Sequence, residues 1–317
     1  MPNLVILRKH RLTPDIVELQ LGRADGQALP GFAAGAHIDL HLPSGKVRQY
    51  SLLNPAAAPM TYRIAVLRDP ASRGGSQEVH DHLQEGQILA VGEPRNLFPL
   101  HQGPEHALLI AGGIGITPIL AMAQGLSAAG RSFELHYACR SRERAAYVDV
   151  LARAPLAGCC QLWCDDEAQR LDLGQILVDS PLDSHLYVCG PSGLIDAVLA
   201  QARAQVWSED RLHREFFAST GSSLPIEGDQ PFELQLQRSG RCIAVAASQT
   251  ALEALLAAGV DVPASCEQGI CGSCLTGVID GEPDHRDQFL TSEEQASNRL
   301  FTPCCSRARG PRLVLDL

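Results

Sequence analysis

Residues 266–274 read CEQGICGSC, a run that crowds three thiols into one loop at the spacing Cys-x4-Cys-x2-Cys. No other stretch constrains the fold as strongly. Thiols this close are either buried side by side or share a metal, and four-ligand sites need a further thiol from elsewhere. Cys304 and Cys305 offer one, and 29 residues separate Cys274 from Cys304. The intervening chain must therefore return to the loop. Structural zinc sites usually bring short Cys-x2–4-Cys pairs, with a second pair downstream. Three cysteines in one loop and a distant fourth are instead the plant-type spacing of a [2Fe–2S] cluster. Gly269 and Gly272 suit such a loop, because without Cβ atoms it can fold tightly and aim N–H groups at sulfur. The sequence FTPCCS reads as a strand, on which neighbours face opposite sides, so one of the adjacent pair reaches the metal. The ligand set read here is Cys266, Cys271, Cys274 and Cys304.

A chain of 317 residues, 45% hydrophobic, exceeds one comfortable core and implies two or three domains. No apolar run approaches a membrane span. The N-terminal apolar run is followed by charges, unlike a signal peptide, and reads as an opening strand. A formal charge of −10 argues against nucleic acid as the main partner. Six further cysteines (Cys139, Cys159, Cys160, Cys164, Cys189 and Cys242) are scattered on or near expected strands. With no secretion signal they read as reduced thiols, mostly buried, in a cytoplasmic protein. The histidines His80, His82, His101 and His106 have no ligand-like company in the sequence.

Residues 1–100 alternate short apolar runs (IVELQL, HIDLHL, RQYSLL, YRIAVL, QILAVG) with turns, and only SQEVHDHL looks helical. This predicts a small antiparallel β-barrel. Residues 101–225 alternate strands (HALLIAG, SFELHYACR, CCQLWCDD, HLYVCGP) with helices, including RAAYVDVLARA. That pattern predicts a doubly wound α/β, Rossmann-like sheet. Residues 219–231 read as a linker. Residues 226–317 open with strands, then a helix with Thr250 as N-cap and Gly259 as stop, the cysteine loop, and a short helix with a capping box from Ser292 to Gln295.

In LLIAGGIGITPIL, Gly112, Gly113 and Gly115 form a loop after an apolar strand. It departs from G-x-G-x-x-G, since Pro118 stands where the third glycine would fall. Proline suits the first turn of a helix, so a strand–loop–helix anion site remains a sound reading. Alone, it is a weak fingerprint, with an ordinary structural turn as the alternative. A second turn, Cys189-Gly190-Pro191, supports the first, because two such turns at strand ends make a nucleotide crevice. Cys189 either lies near a nicotinamide or is a core thiol. Arg140 and Arg142 follow the next strand, where they would meet a 2′-phosphate, a pyrophosphate or solvent. Asp165 and Asp166 end the strand after that and are candidates for the adenosine ribose. In RQYSL, Arg48, Tyr50 and Ser51 offer a phosphate partner, a stacking face and a hydrogen bond. An amphipathic strand explains the same residues.

These segments together resemble the phthalate dioxygenase reductase family. RQYSL looks like its flavin motif and SRGGS, residues 72–76, like its flavin-phosphate loop. GGIGITPI and CGP look like its pyridine-nucleotide motifs, and CEQGICGSC with PCCSRA like its ferredoxin module. The resemblance implies three modules: an FMN barrel (1–100), an NAD(P)H-binding α/β domain (101–225) and an α+β, β-grasp, plant-type ferredoxin (226–317). It places Arg48, Tyr50, Ser51, Leu52, Gly74, Gly75, Ser76, Thr117 and Phe217 on FMN. It places Gly112, Gly113, Gly115, Arg140, Cys189, Gly190 and Pro191 on the nucleotide, with NADH preferred over NADPH. Thr117, Ser51 and Cys189 become the residues nearest the chemistry.

The order of modules makes one electronic path, in which a flavin stands between a two-electron hydride donor and a one-electron cluster. The implied partner is a separate Rieske-type oxygenase or O-demethylase. Rival readings are a reductase for a di-iron or haem monooxygenase, a redox-sensing iron–sulfur flavoprotein, and a zinc-stapled nucleotide-binding protein. Residues 226–317 carry thirteen acids against seven arginines, which is either a face that steers a basic partner or ordinary solubility charge.

Overall fold

The computed structural model describes residues 1–70, 74–168, 170–217 and 228–317. The first two residues of SRGGS and residues 219–227 of the expected linker therefore lie outside the described residues. The chain divides into two compact units, Met1–Phe217 and Ala218–Leu317.

In the first unit, strands β1 (Asn3–Thr13), β2 (Ile16–Gly22), β3 (Ala36–His41), β4 (Val47–Ser51), β5 (Tyr62–Leu67), β6 (Ile88–Ala90) and β7 (Arg95–Asn96) form two antiparallel sheets. Their orders are β5-β2-β1-β6 and β4-β3-β7. A bridge from Leu40 to Val91 joins the sheets at one seam. The Leu53 N–H donates to the Arg63 carbonyl at 3.0 Å and joins them at the other. The barrel closes because alternate positions are apolar and need a common interior. Leu4, Ile6, Leu19, Ile38, Leu40 and Ile64 fill it, together with Val79 from α1 (Gly75–Asp81).

Strands β8 (Ala107–Gly112), β9 (Phe133–Cys139), β10 (Cys160–Cys164), β11 (His185–Gly190) and β12 (Leu212–Phe216) follow, with α2 (Ile116–Ala128), α3 (Val148–Leu151), α4 (Leu173–Asp179) and α5 (Ser192–Ala204) between them. The strands form one parallel sheet ordered β10-β9-β8-β11-β12. The order reverses between β8 and β11, the place where such sheets open a ligand crevice. Two elements differ from expectation. β12 is an added parallel edge strand, which its mixed sequence LHREF conceals. The helix expected over RAAYVDVLARA shrinks to Val148–Leu151, because Tyr147 takes a left-handed conformation (φ 63°). A tertiary contact explains this: the Tyr147 hydroxyl donates to Glu18 of β2 at 2.8 Å.

Barrel and sheet share one apolar core. Ile16, Leu53, Ala65 and Phe98 pack with Ile116, Leu120 and Tyr137. Glu18, nearly buried at 4% exposure, is embedded beside this seam. Burial works to raise its pKa. Hydrogen bonds and charge from Arg63, with the Tyr147 and Gln20 donors, outweigh burial and hold it below the ordinary carboxylate value. The Arg144–Asp15 ion pair, 2.6 Å, ties the same two lobes.

In the second unit, β13 (Phe232–Leu236), β14 (Cys242–Val245), β15 (Thr276–Asp280), β17 (Leu300–Phe301) and β19 (Arg312–Leu315) form a mixed sheet ordered β14-β13-β19-β15-β17. Helix α6 (Ala251–Ala257) covers it with Leu252 and Leu255, and a two-stranded ribbon of β16 (Pro283–Asp284) and β18 (Arg307–Ala308) flanks it. Thr250 caps α6 in a full capping box with Glu253, and Gly259 (φ 73°) ends it, as the sequence predicts. In α7 (Ser292–Ser297) the box runs from Thr291 to Glu294, one residue earlier than expected. No described helix is long and apolar enough to cross a membrane.

The Glu18 contact predicts a stability effect. Tyr147→Phe removes a donor from a buried carboxylate and should lower the unfolding free energy by about 1–3 kcal/mol in urea titrations. The loss should shrink as pH falls below the unfolded carboxylate range, where the depressed pKa of Glu18 no longer contributes stability.

Candidate functional site

The cysteine loop gathers all four expected thiols. Hydrogen-bonding contacts link Cys266 to Cys271 and Cys304, and Cys304 to Cys274. Contacts from Cys271 and Cys304 pull the Cys266 thiol strongly down, and the contact with Cys266 pushes Cys271 up. Cys304 is pushed up by Cys266 and Cys274. The Gln268 N–H points at Cys266 Sγ (3.3 Å) and the Ser273 N–H at Cys271 Sγ (3.4 Å). Gly269 and Gly272 have φ of 71° and 67°, and a Cβ at either would strike Cys305 Sγ or the Phe289 ring. A single tetrahedral zinc with 2.3 Å bonds would draw every sulfur pair to about 3.8 Å. Among the described residues, no three of these thiols lie within 4.8 Å of one another. The donor set fits a two-iron cluster better.

Cys304 and Cys305 do not lie on a strand. β17 ends at Phe301, and both cysteines sit in a buried turn. The two adjacent thiols stay in hydrogen-bonding contact with each other. The Cys305 sulfur turns toward the Thr302 hydroxyl (3.5 Å) and Ser306 Oγ (3.8 Å), both hydrogen-bonded to buried Asp287. The following Arg307 pins the turn by donating to the Gln230, Ala246 and Gln249 carbonyls.

The two glycine turns of the first unit meet backbone to backbone at the switch point. A Cβ on Gly190 would lie 2.9 Å from Gly112 Cα. One on Gly115 would overlap the Cys189 carbonyl, and one on Gly112 would strike Leu194 and Pro191. Gly113 takes φ 53° with open space around it. Pro118 lies in the first turn of α2, as expected. The Thr117 hydroxyl donates to the Ile114 carbonyl at 3.1 Å and is buried, so it braces this turn.

The barrel contributes Ser51 to the same region. Its hydroxyl faces Glu215 Oε2 at 3.5 Å. Glu215 is paired in register with Cys189 across β11 and β12. Crowded by protein, the Glu215 carboxyl is pushed up to about 8 by burial, against the Ser51 hydrogen bond. Burial and then Glu215 raise the fully buried Cys189 thiol. Sequence reading missed Glu215, and the only available signal was its place in REFFAST beside Phe217. Phe217 packs against the core shared by barrel and sheet.

Gly75 lies beneath Arg48, where a Cβ would meet Arg48 Nε at 2.6 Å, and Lys46 approaches Gly74. Lys46 is a second missed residue. Ser76 Oγ accepts from the Asp69 N–H at 3.2 Å. Leu52 points into the barrel core and its N–H donates to the Ala36 carbonyl at 2.8 Å. Tyr50 is partly exposed, packed at the barrel's edge. Arg140 stands exposed at the end of β9, whereas Arg142 pairs with Glu167 at 3.0 Å. Of the six scattered cysteines, Cys139, Cys164 and Cys189 are buried, Cys159 and Cys160 partly so, and Cys242 is exposed.

A barrel sharing a core with a doubly wound sheet, followed by a mixed sheet with a four-thiol loop, defines an oxidoreductase: a flavin-reductase fold joined to a [2Fe–2S] ferredoxin module. A sequence-family profile described as a 2Fe-2S iron-sulfur cluster binding domain matches residues 234–309. The chain is 50% identical over 319 residues to a vanillate O-demethylase oxidoreductase of Pseudomonas sp. (strain HR199 / DSM 7063), covering all of both chains. It is 45% identical over 306 residues to a heme-dependent oxidative N-demethylase beta subunit of Ectopseudomonas mendocina (strain ymp), covering 96% of each. Among solved structures, phthalate dioxygenase reductase, described as a modular structure for electron transfer from pyridine nucleotides to [2Fe–2S], superposes with a TM-score of 0.76 at 38% identity, covering 100% of this chain and 98% of that one. The chain belongs to the phthalate dioxygenase reductase family, the electron-supplying components of oxygenase systems.

Two predictions follow from the sites. Cys304→Ser and Cys271→Ser should lose the visible iron–sulfur absorption and most of about two irons per chain, whereas Cys305→Ala should keep both. For Glu215, the folded chain holds its proton up to about pH 8, while the unfolded chain releases it near 4.5. Raising the pH across that window should therefore destabilise the wild type relative to Glu215→Gln, read as thermal midpoints at several pH values.

Proposed function

We propose that this chain is the NADH-dependent, FMN-containing reductase component of a Rieske-type oxygenase or O-demethylase, working in a reducing cytoplasm. The observation that carries the proposal is the meeting of Ser51, from the barrel, with Glu215, which lies in register beside Cys189 at the end of the nucleotide sheet. That contact brings a flavin-side residue and a nucleotide-side turn to one place. Three modules are assigned: residues 1–100 for FMN, 101–225 for the nucleotide and 226–317 for the cluster.

Lys46 and Arg48 beside Gly74 and Gly75 suit a single terminal phosphate, which favours FMN. The Arg142–Glu167 pair puts an acid beside the arginine that would meet a 2′-phosphate, which favours NADH. Tyr50 and Phe217 provide aromatic surface for a flavin ring. Gly112, Gly113, Gly115, Gly190 and Pro191 form the nucleotide floor, with Arg140 at its rim. Ser51 presents a hydroxyl to the ring's polar edge, and the protonated Glu215 can move or hold a proton there through Ser51. Bound flavin supplies the exchange between a two-electron hydride donor and a one-electron cluster. The four thiolates of Cys266, Cys271, Cys274 and Cys304 hold that cluster.

A second reading changes only the acceptor. The 45% identity to a heme-dependent N-demethylase subunit favours a haem partner. The deciding experiment is steady-state turnover with NADH and with NADPH on protein of measured flavin and iron content. FMN release, a kcat/KM for NADH at least about tenfold above NADPH, and product formation with a Rieske terminal oxygenase are expected. FAD release, NADPH preference, or turnover with a haem component alone would overturn the corresponding element.

A further inference from the structure

At the amino end of β11, opposite the nucleotide turns, a cluster of polar side chains stands outside the machinery described so far. The sequence gives His101 no ligand-like company, yet the fold brings it to Glu105 and His185. One ligand atom from each of the three lies within 4.8 Å of the others. The imidazoles of His101 and His185 stack at 4.0 Å, only 8° from parallel. The nitrogen pair His185 Nδ1 and His213 Nε2 are 2.9 Å apart. His213 in turn stacks on Tyr187 at 4.5 Å. The backbone beneath is held firmly. The His101 N–H donates to the Tyr187 hydroxyl at 2.7 Å, and Arg131 donates to the His101 carbonyl at 2.8 Å. Against that fixed frame, Glu105 Oε2 is buried without a hydrogen-bond partner, 3.2 Å from His101 Nε2. A carboxylate oxygen shielded from solvent, with an imidazole nitrogen at 3.2 Å and a second imidazole close by, is a setting that a cation suits.

We propose that His101, Glu105 and His185 form a binding site for a zinc-class divalent cation. Two imidazoles and one carboxylate are a donor set that zinc accepts, with a remaining position for water. His185 offers Nε2, because its Nδ1 is engaged by His213; a ligating histidine is commonly oriented through its other ring nitrogen in this way. His101 is exposed, so its ring can tilt out of the stack and turn a lone pair toward the ion. Magnesium and calcium, which require oxygen donors, do not suit the set. The bound ion would fasten the segment between β7 and β8 to the start of β11.

The test is calorimetric titration of zinc chloride into full-length protein with flavin and cluster loaded and quantified, alongside His101→Ala and Glu105→Gln. The wild type should bind one equivalent and gain thermal stability, as any ligand selective for the folded state confers. Each substitution should weaken that binding by about tenfold or more, and magnesium should give no response. Flavin and iron content report whether each variant is folded, and two sites of substitution guard against loss of one. Zinc binding of unchanged stoichiometry and affinity in a folded variant, no binding by the wild type at millimolar zinc, or equal response to magnesium would overturn the proposal.

Discussion

The first unit depends on one apolar seam, where Ile16, Leu53, Ala65 and Phe98 of the barrel pack against α2 and the face of the parallel sheet. Each lobe has an apolar cluster of its own, and this shared one joins them. The seam also contains a polar obligation, the Glu18 carboxylate, which only a combined environment satisfies: Arg63 from the barrel and Tyr147 from the sheet. A buried charge with one supporter missing is costly, so the two lobes are fixed in orientation as well as in contact. Ser51 reaches Glu215, the strand neighbour of Cys189, because that orientation is fixed.

The cysteine loop solves a different problem. Its backbone must curl so that amides face sulfur, and Gly269 and Gly272 permit this. The fourth thiol arrives on a turn held by Thr302, Ser306 and Asp287 beneath and by Arg307 behind. The chain thus surrounds sulfur with fixed donors before any metal is considered, which is how a protein sets the environment of a cluster.

Much of this was legible in the residues. Apolar alternation marked the barrel, strand and helix alternation marked the doubly wound sheet, and thiol spacing marked the loop. What escaped has a common cause, since it depended on partners distant in the chain. Tyr147 leaves its helix because Glu18 lies 129 positions away. LHREF becomes a strand because β11 offers an edge, and its polar residues look loop-like until they face a crevice. Cys304 was found by spacing although its local structure was misread as strand. Lys46 and Glu215 carry no motif. Only the folding of β4, α1 and β12 gives them neighbours. His101 likewise had no company until His185 was brought beneath it.

The contact of Gly112 with Gly190, and of Gly115 with Cys189, sets main chain against main chain on the floor where the two glycine turns meet. Main chain has no alphabet. Drift in sequence cannot retune that floor by exchanging one side chain for another; it can only break it. Arg140, Arg142, Asp165 and Asp166, at the ends of the neighbouring strands, are exposed side chains that can be exchanged without touching the fold. The architecture separates what must stay constant from what is free to diverge.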